Sequence, residues 1–465
     1  MKNARLNKTM IATILALAWP TMLEQLMQTA VQYIDTAMVG SLGTHATAAV
    51  GATTTVNWLI GSTISALGVG FLSFIARAYG AGDKKAASKA VSQAVIVTVF
   101  AGMFFTALTL GLSGMVPVWM QVDPAIQDIA SRYFFILYLP MLPRTATIIF
   151  GTALRAAGDT KTPMKVGVWV NVINVVLNFL LIYPTRRLTV LGLTFTMPGA
   201  GMGVLGAAAA SALAFAYGGI RITYVLWKHP LISPRGARFK LDMAILKPCM
   251  KIALPNMLQR FGTSLGYVTF AAMINSLGEV ATAAHTIANT VESAFYIPGY
   301  GMQTAAATLA GNAYGAQDKN RMNELARMFL PLEIGLMVLS GGALFLLAPP
   351  LVGIFSDSSE VMALAVTVLR MVALSEPFYG FSIIVEGMMF GVGNTKQPFV
   401  FNILGMWGVR IVGTFLCTQL LAQGLVSAWG CMIAHNLLLF CLFFYCYVSK
   451  KWNPLEGRQP SGNGC

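Results

Sequence analysis

From residue 10 to residue 448 the chain is a succession of apolar stretches, each long enough to cross a hydrocarbon layer about 30 Å thick. They run over 10–38, 47–76, 90–116, 125–153, 163–184, 200–227, 248–274, 281–310, 328–349, 361–390, 398–418 and 424–448. Charged residues make up 10% of the chain and hydrophobic ones 56%, with a mean hydropathy of +0.68. Soluble domains carry about 25% charged residues. No water-soluble core of this length could hide so much apolar side chain, so lipid is the solvent, and the expected fold is an all-α polytopic membrane protein with twelve spans.

The first apolar segment follows Lys2, Arg5 and Lys8 and resembles a signal peptide at its start, but it continues past Pro20 to about Val39 without a small-residue cleavage site. It reads as a retained span. The six cysteines, Cys249, Cys417, Cys431, Cys441, Cys446 and Cys465, show no metal-type or redox spacing and read as packing residues. The net charge of +14 is distributed by loop: 23 Lys/Arg flank one set of loops, while the opposite set holds two, Arg186 and Arg187. Such asymmetry orients a chain in a membrane and predicts both termini in the cytoplasm of a bacterial inner membrane. The charge therefore does not imply nucleic acid.

The sequence also matches itself at a shift of 235 residues. Pro20 falls on Pro255, Ser41-Leu42-Gly43 on Ser276-Leu277-Gly278, and Ala78-Tyr79-Gly80-Ala81 on Ala313-Tyr314-Gly315-Ala316. Gly158-Asp159-Thr160-Lys161-Thr162-Pro163 meets Gly393-Asn394-Thr395-Lys396-Gln397-Pro398. Both copies of the Tyr-Gly-Ala and Gly-x-Thr-Lys-x-Pro turns lie on the basic side, so each half crosses the membrane an even number of times, and six crossings fit the hydropathy. Parallel repeats of this kind place a substrate path between the halves, near mid-membrane. The expected division is an N-terminal lobe 1–228, a cytoplasmic linker 229–247, a C-terminal lobe 248–449 and a disordered cytoplasmic tail 450–465.

Three segments carry a family resemblance. Pro20 through Asp35 to Val39-Gly40, the loop from Gly151 to Pro163, and Glu292-Ser293-Ala294-Phe295-Tyr296-Ile297-Pro298-Gly299-Tyr300-Gly301 with Ala310-Gly311-Asn312 resemble the multidrug and toxic compound extrusion (MATE) family. The resemblance covers nearly the whole chain. It implies a V-shaped pair of lobes around a central cavity, alternating access, and export of drugs or toxic organics against entry of H⁺ or Na⁺.

Charged and amide side chains inside hydrocarbon are costly, which makes those present functional candidates. Thr21, Glu24, Gln28, Gln32 and Asp35 fall within a sector roughly 80° wide on the first helix, so that face lines a cavity or packs on a polar surface. Asp35 is the strongest candidate. Removal from bulk water penalises its charged form and brings protonation within reach, or it stays ionised and holds Na⁺ with nearby amide and carbonyl oxygens. Glu24 lies about three turns away, as a gate or vestibule residue. Asn171, Asn174 and Asn178 form a second stripe on the fifth helix, with Asn57 on the second a weaker candidate. The resemblance makes Asp35 the coupling aspartate of the N-terminal lobe and places Asn174, Asn178 and Ser211 in its cation network, with Asn178 standing where some members have aspartate.

In the second half His285, Asn289, Glu292 and Tyr296 share a sector about 60° wide. Glu292 is the repeat partner of Asn57, and reads as a structural anchor or as a substrate or proton contact. Glu376, Tyr379 and Glu386 lie on the tenth span, which Arg370 begins, with Arg260 on the seventh and Arg410 on the eleventh. Burying these charges singly is prohibitive, so ion pairs between the two sets are expected. NorM-type members carry acids where this chain has Thr263 and Tyr379, which puts their C-lobe cation site in doubt here. Pro20 and Pro255 are kept by the repeat and are expected to let their helices bend.

The reading is a secondary antiporter of small amphiphilic organic compounds, monomeric in the bilayer, with no cofactor beyond its coupling ion. The alternative is a cation-coupled exporter or flippase of an endogenous lipid-linked or biosynthetic product. An integral-membrane enzyme is disfavoured by four scattered histidines and no metal-spaced motif, and a passive channel by the duplicated halves. No P-loop is present, so an ion gradient or another subunit must supply the drive.

Overall fold

A computed structural model describes residues 2–120, 122–190, 193–237 and 239–456. Arg238, the segment 457–465 with Arg458 and Cys465, and the side chains of Lys2 and Arg5 lie outside the described residues. The elements are α1 (Lys2–Gly40), α2 (Thr44–Gly80), α3 (Lys84–Leu112), a single turn α4 (Val116–Trp119), α5 (Gln127–Tyr138), α6 (Met141–Ala156) and α7 (Lys161–Leu181). A hairpin β1 (Pro184–Val190) and β2 (Leu193–Ala200) follows, then α8 (Val204–Lys228), α9 (Met243–Asn275), α10 (Glu279–Gly315) and α11 (Lys319–Gly353). The chain ends with α12 (Ser359–Ala373), α13 (Glu376–Gly391), α14 (Lys396–Ile403), α15 (Val412–Phe415) and α16 (Leu425–Val448), with π-helical turns at Leu404–Ile411 and Leu416–Leu420. The antiparallel hairpin, which pairs Arg187 with Thr196, is the one strand pair among the described residues and was not anticipated.

Eight helices among the described residues are long and apolar enough to cross a membrane, and ten when two bent pairs each count as one span. Helices α9 and α10 have the length but not the apolarity, since they carry Lys247, Lys251, Arg260, Glu279 and Glu292. The two bent pairs are α5 with α6, at 49°, and α12 with α13, at 52°. They are repeat partners, because Met141 shifted by 235 is Glu376. Pro140 caps the start of α6 and Pro377 follows the start of α13, where a missing N–H costs least. By contrast, α1 and α9 stay helical through Pro20 and Pro255.

Backbone geometry repeats as well. Gly43 and Gly278 take φ of 106° and 104°, and Gly158 and Gly393 take 87° and 88°, at the turns the self-match brings together. Those positive φ values are the reason for glycine there.

The chain divides into two compact units: Met1–Gln25, Leu72–Lys84 and Lys247–Cys465 form the first, and Leu26–Phe71 with Lys85–Leu246 form the second. Helix α1 thus changes unit after Gln25. In the first unit Ile14 and Ala18 of α1 share a buried cluster with Met302, Leu309, Phe329, Met388 and Phe443. Thr21 Oγ1 donates to the Ala18 carbonyl at 2.8 Å and lies 2.9 Å from that of Gly301. At the ends of α2 and α10 two repeat-related glycines make reciprocal contacts. A Cβ on Gly80 would lie 2.0 Å from the Asn312 carbonyl oxygen, and one on Gly315 would lie 1.9 Å from that of Arg77.

The tail is the other difference from expectation. Residues 450–456 are folded against the first unit: Trp452 and Leu455 are buried, and Trp452 joins the Ile14 cluster. Glu456 pairs with Lys319 at 2.7 Å and Lys450 at 3.2 Å and accepts from Asn323 Nδ2 at 3.0 Å. These contacts hold its carboxyl at about 2, well below the usual carboxylate range. A Trp and a Leu three residues apart supply enough apolar surface to dock a segment that composition marks as loose.

Candidate functional site

In the second unit, α1 and α7 bring the sequence-predicted carboxylate and amides together. Asn178 Nδ2 donates to Asp35 Oδ1 at 2.5 Å and to Asn174 Oδ1 at 3.2 Å, and Asn174 Nδ2 donates to Ser211 Oγ of α8 at 2.9 Å. The three asparagines Asn171, Asn174 and Asn178 are buried, while Asp35 is half-buried. Asn178 Oδ1 is buried and without a hydrogen-bond partner. It sits on the amide that already holds Asp35, so a carboxylate and an amide oxygen are both available to a small cation. Asn171 Nδ2 is likewise unpartnered. Gln28 and Gln32 on the same helix are exposed, and Glu24 is buried within the first unit.

Beside this network Asn57 accepts a hydrogen bond from the Tyr138 hydroxyl at 3.1 Å. The Arg144 guanidinium on α6 lies over the rings of Phe215, at 4.7 Å, and Tyr138, at 5.7 Å. Its Nη1 is buried without an acceptor. Arg144 escapes a search for polar stripes because it stands alone on its helix face. The readable signal was one arginine in the middle of an apolar span.

The first unit is richer in acids, and the expected ion pairs do not form: no salt bridge joins Arg260, Arg370 or Arg410 to Glu292, Glu376 or Glu386 among the described residues. Most of these charges are met in another way, while Glu376 keeps an unpartnered Oε2. Arg410, 3% exposed, stacks on Phe270 at 4.1 Å and Tyr267 at 4.8 Å, where a ring face replaces a counter-ion. Arg260 Nε donates to Asn256 Oδ1 at 3.2 Å, and the exposed Arg370 lies on the Phe345 ring. Glu386 accepts from Gln259 at 2.8 Å, Gln303 at 2.9 Å and Asn402 at 2.8 Å. Short-range amides thus do what long-range charge pairing was expected to do.

Of the stripe on α10, His285 Nδ1 accepts from Trp429 Nε1 at 3.2 Å and is a packed core histidine. Asn289 is exposed and Glu292 buried. Tyr296 packs edge-on against Tyr300 and Tyr379, whose hydroxyls share a hydrogen bond of 2.7 Å. The sequence search missed Glu333 on α11, which is fully buried, because a single acid has no stripe to betray it. It also missed Gln259, Gln303 and Asn402, which come from three different helices and meet only at Glu386.

Long helices in repeated sets, with acids and amides buried at membrane depth, define a polytopic membrane transporter. The MatE family profile matches residues 20–180 and 255–416, and the chain belongs to that family of multidrug and toxic compound extrusion transporters. It is a transporter and not an enzyme. It is 28% identical over 439 residues to the probable multidrug resistance protein NorM of Thermotoga maritima, covering 94% of this chain and 92% of that one. Its fold superposes with a TM-score of 0.88 and 22% identity on a MOP superfamily transporter from Pyrococcus furiosus, over 97% of each chain, for which a binding pocket of reverse polarity is described. An outward-facing multidrug resistance MATE family transporter also matches at a TM-score of 0.88 and 22% identity over 97% of both chains.

Proposed function

We propose that the protein is a cation-coupled antiporter that exports amphiphilic organic compounds by alternating access, exchanging them for H⁺ or Na⁺. It works as a monomer, with 1–228 and 248–449 as its two lobes, 229–247 as the linker and both termini in the cytoplasm of a bacterial inner membrane. One observation carries the reading. Asp35 is the carboxylate at the end of an amide network, with an unpartnered Asn178 oxygen beside it. Asn178 N–H donation stabilises the ionised carboxylate, and a proton or Na⁺ arriving at Asp35 competes with that bond. Cation entry down about 100 mV supplies roughly 2.3 kcal/mol per charge, enough to bias a conformational equilibrium. Asn174 and Ser211 position Asn178, and Asn171 extends the polar lining. Pro20 and Pro255 let α1 and α9 bend as occupancy changes. In the first unit Glu24, Glu292, Glu376, Glu386, Tyr296 and Tyr379 are the polar candidates for substrate contact. Transport by the reconstituted protein under separately imposed Na⁺ and pH gradients tests this. Uphill export that follows one of the two gradients supports it, and indifference to both removes it.

A second reading is export of an endogenous anionic, lipid-linked or biosynthetic product. Arg144 and Arg410 favour it, since both are cations set on aromatic rings with no carboxylate within salt-bridge distance among the described residues. Competition between an amphiphilic cation and an anionic amphiphile in the same vesicles separates the two.

A further inference from the structure

Two glutamates of the first unit stand in opposite environments. Glu386 is surrounded by three amide N–H donors, an arrangement that serves an ionised carboxylate. Glu333 is 0% exposed, and neither of its carboxyl oxygens has a hydrogen-bond partner. No cation pairs with it among the described residues. A bare carboxylate at that depth would cost several kcal/mol or more, so the group is present as the neutral acid.

Its surroundings are built closely around it. A Cβ on Gly299 would lie 2.6 Å from Glu333 Oε1, and one on Gly380 would lie 3.3 Å from Glu333 Cγ. Gly299 follows Pro298, the proline inside α10, and Gly380 lies four residues after Glu376, at the 52° break that opens α13. Both walls of the slot are therefore next to places where a helix can bend. The two helices that flank it carry ionisable groups of their own: Glu292, Tyr296 and Tyr300 on α10, and Tyr379 and Glu376 on α13. The last is 2% exposed with an unpartnered Oε2 and lies within electrostatic reach of Glu333. Arg370 on α12 is exposed and reaches the Phe345 carbonyl instead.

We propose that Glu333 is a second proton-binding site, loaded in this conformation and emptied to water when α10 and α13 part at Pro298 and at the break before Glu376. It rests on the coupled-transport reading and adds to the first unit a proton site that Asp35 does not supply. The site takes a proton, because the carboxyl packs directly against the Gly299 and Gly380 backbones and has no polar oxygen beside it among the described residues to help coordinate a metal cation. Its release is a simple dissociation: the O–H bond breaks, the electron pair stays on the carboxylate, and the proton passes to water admitted by the opening.

The test uses the full chain in liposomes. Infrared spectra at alkaline pH should show protonated-carboxyl absorption to which the buried Glu376 also contributes, and one band of it should survive Asp35→Asn and be lost in Glu333→Gln. Glu333→Asp, which keeps a carboxyl, should shift the band without removing it. Glu333→Gln replaces one neutral group by another of the same shape, so its thermal midpoint should stay at the wild-type value. With tetraphenylphosphonium as the transported probe, that variant should move fewer protons per molecule exported. Absence of the band in the wild type, or an unchanged proton count in Glu333→Gln, overturns the proposal. Should the protein fail to move the probe at all, the transport reading fails, while the infrared band still decides the state of Glu333.

Discussion

The two halves share a backbone and not a chemistry. Shifted by 235 residues, Asp35 becomes Phe270, Asn174 becomes Val409 and Asn178 becomes Gly413. In the other direction Glu292 becomes Asn57, Glu333 becomes Thr98 and Glu386 becomes Gly151. Yet the turns at Gly43 and Gly278, and at Gly158 and Gly393, keep the same positive φ within two degrees. Duplication preserved what the bilayer demands of the main chain, where every N–H and C=O must be satisfied inside helices. Polar side chains answer to ligand and proton traffic, and those diverged. A carboxylate held by an amide network occupies one unit, and acids met by amides or by nothing occupy the other.

The sharpest way to break this contrast is to remove the charge from the network. Asp35→Asn should reduce gradient-driven export to the level of empty vesicles while expression and insertion stay at wild-type values, as read by immunoblot of the membrane fraction. Next in size is Glu386→Gln. Three amide donors would face an acceptor without charge, and at about 1.5–3 kcal/mol for a hydrogen bond to a charged group the thermal midpoint in detergent should fall. Glu333→Gln in the same assay should not move it, and equal losses from the two variants would erase the distinction between them.

A methyl group at Gly315 would collide with the Arg77 carbonyl, and overpacking of this kind costs about 1–3 kcal/mol. Gly315→Ala and Gly80→Ala should lower the midpoint by similar amounts, because the contacts are reciprocal. A loss confined to one of them would show that the repeat is not symmetric at that crossing. Asn178→Ala should weaken cation dependence less than Asp35→Asn does, since the carboxylate survives without its donor.

The smallest effect belongs to the tail. Glu456 sits well below its ordinary value, so the stability it contributes is present above about 4.5 and fades as pH falls towards about 2. Proteolytic nicking after α16 should therefore rise across that window in the wild type, while Glu456→Gln should be nicked readily at every pH.

The helical course of the chain and its repeat were legible in the sequence, because each is a periodic signal. Helix periodicity puts Thr21 through Asp35 on one face, and Asn171 through Asn178 follow the same rule on α7. What did not show was anything set by tertiary approach. Arg410 was assigned an acidic partner and found two rings. Glu386 belonged to the set expected to pair with the arginines, and it is held by amides from α9, α10 and α14. Lone residues such as Arg144 and Glu333 carry no period at all, and the docked Trp452 lay in a stretch whose composition concealed it. Coupling to a cation through Asp35 is the claim on which the rest is hung.

The most direct measurement compares uphill and downhill movement of one labelled substrate in vesicles holding the wild type or Asp35→Asn. The account predicts that the variant keeps downhill exchange and loses accumulation against a gradient. Accumulation at the wild-type rate in the variant would contradict it.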